Sequence, residues 1–226
     1  MPINIAIDGP AGAGKSSIAK KVSSELGIIY VDTGALYRSV AYYVLENNIN
    51  EKSKLIKSLK NIKISIEFKN GSQHVILNDK DVSEKIRTPQ VSIVSSKVSA
   101  IPEVREFLFD LQRKIAAGNS CIMDGRDIGT IVLPNADVKI FLTASVEKRA
   151  QRRWLETSEE DRKDTSLEEI EADIKWRDYN DTHRKTAPLA KAKDAVELDT
   201  SDLNFEESCE AVKKIIQQKT GEKNEV

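Results

Sequence analysis

The stretch Ile3-Asn4-Ile5-Ala6-Ile7-Asp8-Gly9-Pro10-Ala11-Gly12-Ala13-Gly14-Lys15-Ser16-Ser17 decides the fold. Its first part is an apolar run of strand length. The remainder matches G-x-x-x-x-G-K-[ST], which reads as a phosphate-binding loop only between a strand and a helix. Both flanks are present: residues 4–8 predict the strand, and residues 15–26 predict a helix stopped by Gly27. The glycines let the backbone curl so that successive N–H groups face phosphate oxygens, and the helix start adds its positive end. Gly9, Pro10, Ala11, Gly12, Ala13, Gly14, Lys15, Ser16 and Ser17 are therefore the candidate nucleotide-binding residues. Lys15 would reach the β- and γ-phosphates and the Ser16 hydroxyl would hold Mg²⁺. The plain alternative is a glycine-rich strand-to-helix turn with no ligand.

The rest of the chain bounds what surrounds that loop. At 226 residues it is long for one domain and short for two. A single α/β unit with an insertion fits. The 35 basic and 36 acidic residues give a net charge of −1, so nothing pulls the whole molecule toward nucleic acid or a membrane, and any basic site must be local. No apolar run reaches spanning length, and the short N-terminal run leads straight into the loop, unlike a signal peptide. Cys121 and Cys209 lie in an apolar run and on an apolar helix stripe. They read as buried thiols in a reducing, cytoplasmic setting rather than as a disulfide. A monomer is the default expectation.

Strands are predicted at 4–8, 28–31, 120–123, 138–142 and 195–198, alternating with helices at 15–26, 35–46, 103–117, 146–156 and 166–180 and a terminal helix striped by Phe205, Cys209, Val212, Ile215 and Ile216. The tail 220–226 reads as frayed. This alternation predicts an α/β fold, with a five-stranded parallel sheet covered on both faces. Residues 61–99 break the rhythm: two alternating runs flank Asn70-Gly71, the strongest short hairpin signal, so a small antiparallel insertion is expected there. The single domain then divides into a core (1–60, 100–145 and 190–220), the insertion (61–99) and a helical region (146–185).

Ligands of such sheets gather at the carboxyl ends of the strands. Three further groups fall at or near that edge. In Asp32-Thr33-Gly34-Ala35-Leu36-Tyr37-Arg38, Thr33 and the helix start offer anion donors and Arg38 could fork onto a phosphate. Helix capping plus a surface arginine is the other reading. In Asp124-Gly125-Arg126-Asp127-Ile128-Gly129, the acid after the strand stands where phosphate-loop enzymes organise the Mg²⁺ shell, Asp124 acting through a water. An ordinary strand-to-loop turn is the alternative. Arg149, Arg152 and Arg153 share a helix face without an acid among them, and Arg177, Asp181 and Arg184 share another. Each set reads either as a solvated surface or as positive charge closing over a transferred phosphoryl group.

These motifs, with Ile86-Arg87-Thr88, Lys139-Ile140-Phe141-Leu142-Thr143-Ala144-Ser145 and the span from Arg177-Asp178 to Ala187-Pro188-Leu189, resemble the bacterial cytidylate kinase family, within the nucleoside monophosphate kinase group of P-loop proteins. The resemblance runs over essentially the whole chain. It implies a P-loop NTPase-like three-layer fold, with the insertion as the monophosphate-binding subdomain and 146–185 as a lid. It implies transfer of the γ-phosphoryl of ATP, with Mg²⁺, to CMP or dCMP. Thr33, Arg38 and Arg126 would lie at the acceptor nucleotide and its phosphate, and Ser96, Arg105 and Asp127 at the cytosine. Arg177 and Asp181 would address the ribose, and Arg184 the acceptor phosphate region. Arg149 and Arg153 look like lid arginines, which with Lys15 and Arg126 make the catalytic set. The lid stretch 157–166 has no motif that maps. A kinase for another small acceptor such as UMP, and a nucleotide-dependent switch protein, are the rival readings.

Overall fold

The computed structural model describes residues 2–69, 72–156 and 165–224. Five parallel strands form the central sheet: β1 (Asn4–Asp8), β2 (Ile29–Asp32), β6 (Cys121–Gly125), β7 (Val138–Thr143) and β8 (Val196–Asp199), in the order β2-β6-β1-β7-β8. Between them, in chain order, come α1 (Lys15–Leu26), α2 (Thr33–Glu46), α3 (Lys52–Ser58), α4 (Pro89–Ser99), α5 (Pro102–Gly118), α6 (Val146–Glu156) and α7 (Leu167–His183), with α8 (Phe205–Asn224) last. β1 pairs with β6 on one side and β7 on the other, both distant in sequence. The strand order therefore reverses around β1, and the loop after it opens into the crevice where such sheets bind ligands.

Burial follows from this topology. Ile5, Ile7 and Ile140 pack with Ile18 and Val22 of α1 and with Cys209, Val212 and Ile216 of α8 on one face. Ala6, Val31 and Met123 face the other way, against Ala116 of α5 and Ile128 and Val132 of a wide helical turn at Ile128–Val132. Both cysteines are buried and free. The strands read as apolar runs because both faces are covered.

The insertion carries an antiparallel sheet of β3 (Ile64–Lys69), β4 (Ser72–Leu77) and the two-residue β5 (Lys80–Asp81). The Asn70-Gly71 turn lies outside the described residues. Within 61–99, α4 was not anticipated. Thr88 caps it by accepting from Val91 N–H and Pro89 opens its first turn, but its serine-rich sequence gives only a faint apolar stripe. α3 was missed likewise. The insertion shares one core with α2 and α5: Val75, Leu77, Ile86, Val91 and Val98 join Leu36, Val40 and Leu108. α8 runs through Asn224, where fraying from residue 220 was expected. No helix among the described residues is long and apolar enough to cross a membrane.

Candidate active site

The phosphate loop is shaped by three glycines in conformations L side chains rarely adopt: Gly9 at φ 153°, Gly12 at 74° and Gly14 at 87°. Gly9 has a second constraint, since a Cβ there would lie 1.9 Å from the Leu142 carbonyl oxygen. The loop is thus pressed onto β7 backbone to backbone. Gly9, Pro10 and Ala13 are buried beneath it, while Ala11, Gly12, Gly14, Lys15, Ser16 and Ser17 line a cleft of about 670 Å³.

Lys15 Nζ donates to the Pro10 carbonyl at 2.7 Å. Burial, and then the positive Arg126 nearby, lower its pKa from 10.5 to about 7. Ser16 Oγ donates to Asp124 Oδ2 at 2.7 Å, and the Tyr30 hydroxyl donates to Asp124 Oδ1 at 2.9 Å. Burial and the neighbouring Asp32 raise the Asp124 carboxyl above its usual range. A hydroxyl and a buried carboxylate side by side at the loop are hard oxygen donors, the chemistry Mg²⁺ takes together with phosphate oxygens.

The far wall of the same cleft is cationic. Thr33 Oγ1 donates to the Asp124 carbonyl at 2.7 Å, tying the start of α2 to β6. Arg38, one turn into α2, pairs with Asp32 at 2.7 Å. Arg126 Nε donates to Asp181 Oδ2 at 2.7 Å. Arg105 is buried in an ion pair with Asp127 and lies 5.4 Å from the Tyr37 and Phe109 ring centres. Arg184 Nη2 stands 3.6 Å from Asp127 Oδ1. Arg38 Nε, Arg105 Nε and Arg184 Nη2 are buried without a hydrogen-bond partner among the described residues. All three arginines line the same cavity. Ser96 of α4 and Arg177 of α7 line it too, and Arg177 pairs with Asp173 at 3.1 Å.

The structure brings the proposed acceptor residues, from five separate segments, into one cavity with the loop. It separates the two proposed lid arginines. Arg153 lines the cleft and pairs with Asp173 at 2.7 Å. Arg149 is buried: it donates to the Ala11 carbonyl and pairs with Asp178. The acids missing from the α6 cluster are therefore supplied by α7. Trp176 and Tyr179 of α7 are more than half exposed. Of the expected lid stretch 157–166, residues 157–164 lie outside the described residues.

Four residues that shape the site had no role in the sequence reading, and a fifth, Arg152, figured there only within the α6 arginine cluster. Asp8 accepts from Ile128 N–H at 2.8 Å and Gly129 N–H at 2.7 Å, and burial raises its carboxyl to about 6. Tyr30 holds Asp124, and Arg152 donates to Thr200. Arg87 lies 3.5 Å from Asp32, and Gln73 of β4 accepts from Asp32 N–H at 2.9 Å. Asp8 at a strand end and Arg87 within a quoted motif were the visible signals. A smaller cavity of about 320 Å³, lined by Lys20, Tyr30, Phe68 and Gln73, abuts Asp32 from the other side.

The Cytidylate kinase family model matches residues 5–218. A cytidylate kinase of Caldicellulosiruptor bescii is 50% identical over 212 residues, 93% of each chain. One from Thermosipho melanesiensis is 46% identical over 219 residues, 97% of this chain and 99% of that one. Among solved structures, an uncharacterized protein from Eubacterium ventriosum superposes with a TM-score of 0.53 over 96% of this chain and 99% of that one, at 14% identity, a likeness of fold alone. A phosphate loop facing a wall of arginines, in a sequence matched almost end to end by this model, places the chain in the cytidylate kinase family.

Proposed function

We propose that this enzyme transfers the γ-phosphoryl group of ATP directly to CMP or dCMP, giving ADP and the diphosphate. The observation that carries the reading is the single cleft with the phosphate loop at one wall and, at the other, three arginines, each with one buried nitrogen that has no hydrogen-bond partner among the described residues. Gly12, Gly14, Lys15, Ser16 and Ser17 would hold the donor phosphates. Arg38, Arg126 and Arg184 would hold the acceptor phosphate in line. Ser96, Arg105 and Asp127 would meet the cytosine, and Arg177 and Asp181 the ribose.

The acceptor is itself a phosphate anion at neutral pH, so no general base is required. Catalysis rests on positioning and on charge placed where it develops. Lys15, Arg126 and Arg153 neutralise the moving group from three sides. The lowered Lys15 pKa belongs to the ligand-free site; a triphosphate beside it restores the ammonium by direct attraction. Ser16 and Asp124 would hold Mg²⁺, which would offset the negative charge of the phosphates. The two free, buried thiols support a cytoplasmic setting, and a monomer belongs to the same proposal.

Incubation with γ-labelled ATP and CMP tests the reading. The label is expected in the β-phosphate of CDP. Label found only in inorganic phosphate, at a rate indifferent to CMP, would replace the kinase with a nucleotide-hydrolysing switch.

A further inference from the structure

Arg149 and Asp178 close a ring around one residue of the phosphate loop. Asp178 Oδ1 accepts from Ala11 N–H at 3.3 Å. Asp178 Oδ2 pairs with Arg149 Nη2 at 2.7 Å, and Arg149 Nη1 donates to the Ala11 carbonyl at 2.8 Å. Both backbone polar groups of Ala11 are thus satisfied by one arginine–carboxylate pair. Arg149 Nε also donates to the Ala144 carbonyl at 2.8 Å, just past β7, which anchors the ring to the sheet. The guanidinium fork spends its donors on three fixed acceptors, an arrangement a lysine cannot reproduce. At the next loop residue the packing is equally close: a Cβ on Gly12 would lie 3.3 Å from Arg149 Cβ and 3.6 Å from Ile174 Cδ1 of α7.

The position of Asp178 gives this ring a meaning beyond support. Its neighbours along α7, Arg177 and Asp181, line the acceptor side of the cleft, and Asp181 holds Arg126. Ala11 immediately precedes the donor-side residues Gly12 to Ser16. One helix therefore lines the acceptor side of the cleft and also holds the donor loop.

We infer that Arg149 and Asp178 are positioning residues that couple the two substrates, transmitting the placement of α7 to the phosphate loop through Ala11. This rests on the proposed CMP-kinase reading. Arg149 then acts through the loop backbone and not on the transferred group, whereas Arg153 and Arg152 of α6 line the cleft itself. Coupling of this kind is reciprocal: the factor by which CMP tightens donor binding equals the factor by which the donor tightens CMP.

The test is a set of equilibrium titrations with a non-hydrolysable ATP analogue, with and without saturating CMP, and the converse. In the wild type the analogue is expected to bind about 5-fold or more tightly when CMP is present. In Asp178→Ala, and in Asp178→Asn, which is nearly isosteric, the ratio should fall to within about 2-fold of unity. The affinity for CMP alone should stay close to wild type. Arg149→Lys should show the same loss, and Asp178→Glu should recover part of it. A purely supporting role would lower the melting temperature and leave the ratio intact. A wild-type ratio of one, or a retained ratio in Asp178→Asn and Arg149→Lys, overturns the inference. Wild-type turnover of CMP is read separately, so failure of the function reading and failure of the coupling are distinguishable.

Discussion

Asp127→Asn should destabilise the ligand-free protein more than Arg105→Met does, although the two residues are partners. Arg105 and Asp127 are both buried, and Arg184 Nη2 stands 3.6 Å from the second Asp127 oxygen. Burial and the nearby Arg105 already lower the Arg184 pKa, while Asp127 opposes that trend. Asp127→Asn leaves two buried guanidiniums with no carboxylate at that position, a cost of about 3–5 kcal/mol by analogy with broken buried pairs. Arg105→Met leaves Asp127 its Arg184 contact and fills the slot between Tyr37 and Phe109 with a side chain of similar length. The loss there is about 2 kcal/mol of hydrogen bonding and cation–π contact. The double variant should be more stable than the two single losses added together, by about 1–3 kcal/mol. Urea unfolding of the ligand-free protein at pH 7.5 measures all three, and kcat/KM for CMP should fall in each. A lower midpoint for Arg105→Met than for Asp127→Asn, or single effects that add within about 0.5 kcal/mol, would refute the reasoning.

Lys15→Met should reduce kcat by about 10²-fold or more while leaving thermal stability at pH 7 equal or higher, because burial lowers the lysine to about 7 and its ionised form is a burden to the empty site; steady-state kinetics and calorimetry check both halves. Asp8, raised from 3.8 to about 6, favours the protonated acid in the native state, so stability should fall as pH rises through that interval, by roughly 3 kcal/mol. Asp8→Asn removes that slope and also one acceptor for the Ile128 and Gly129 N–H groups. Its unfolding midpoint measured from pH 4 to 8 should be flatter than wild type, and an unchanged slope would assign the titration elsewhere. Gly9→Ala forces a Cβ within 1.9 Å of the Leu142 oxygen and should cost at least about 3 kcal/mol, or about 6–12 °C in Tm.

What the sequence disclosed follows from the range of each signal. The strand–loop–helix run at residues 4–26 is local, so its fold and its ligand chemistry could be read together. The Asp32–Arg38 and Asp124–Gly129 runs each sit at one strand end, where strand order alone predicts the cleft. The insertion was legible as a hairpin from its alternation, but not as a helix-bearing unit, since Thr88-Pro89 opens α4 with capping chemistry rather than an apolar stripe. Pairings that join distant segments were not legible. Asp8 meets Ile128 across 120 residues, and Arg149 meets Ala11 across 138. Nothing in the spacing of Arg149, Arg152 and Arg153 distinguishes the arginine buried under the loop from the two that line the cleft. That distinction depends on where Asp173 and Asp178 project from α7.

Acceptor selectivity is the most direct test of the account. Release of ADP from ATP and Mg²⁺ should be followed with CMP, dCMP, UMP, AMP and GMP in turn. If Arg105 and Asp127 meet the cytosine as proposed, kcat/KM should be highest for CMP and dCMP, with the purine monophosphates lower by about 10³-fold or more. A higher kcat/KM for UMP or for either purine would contradict it.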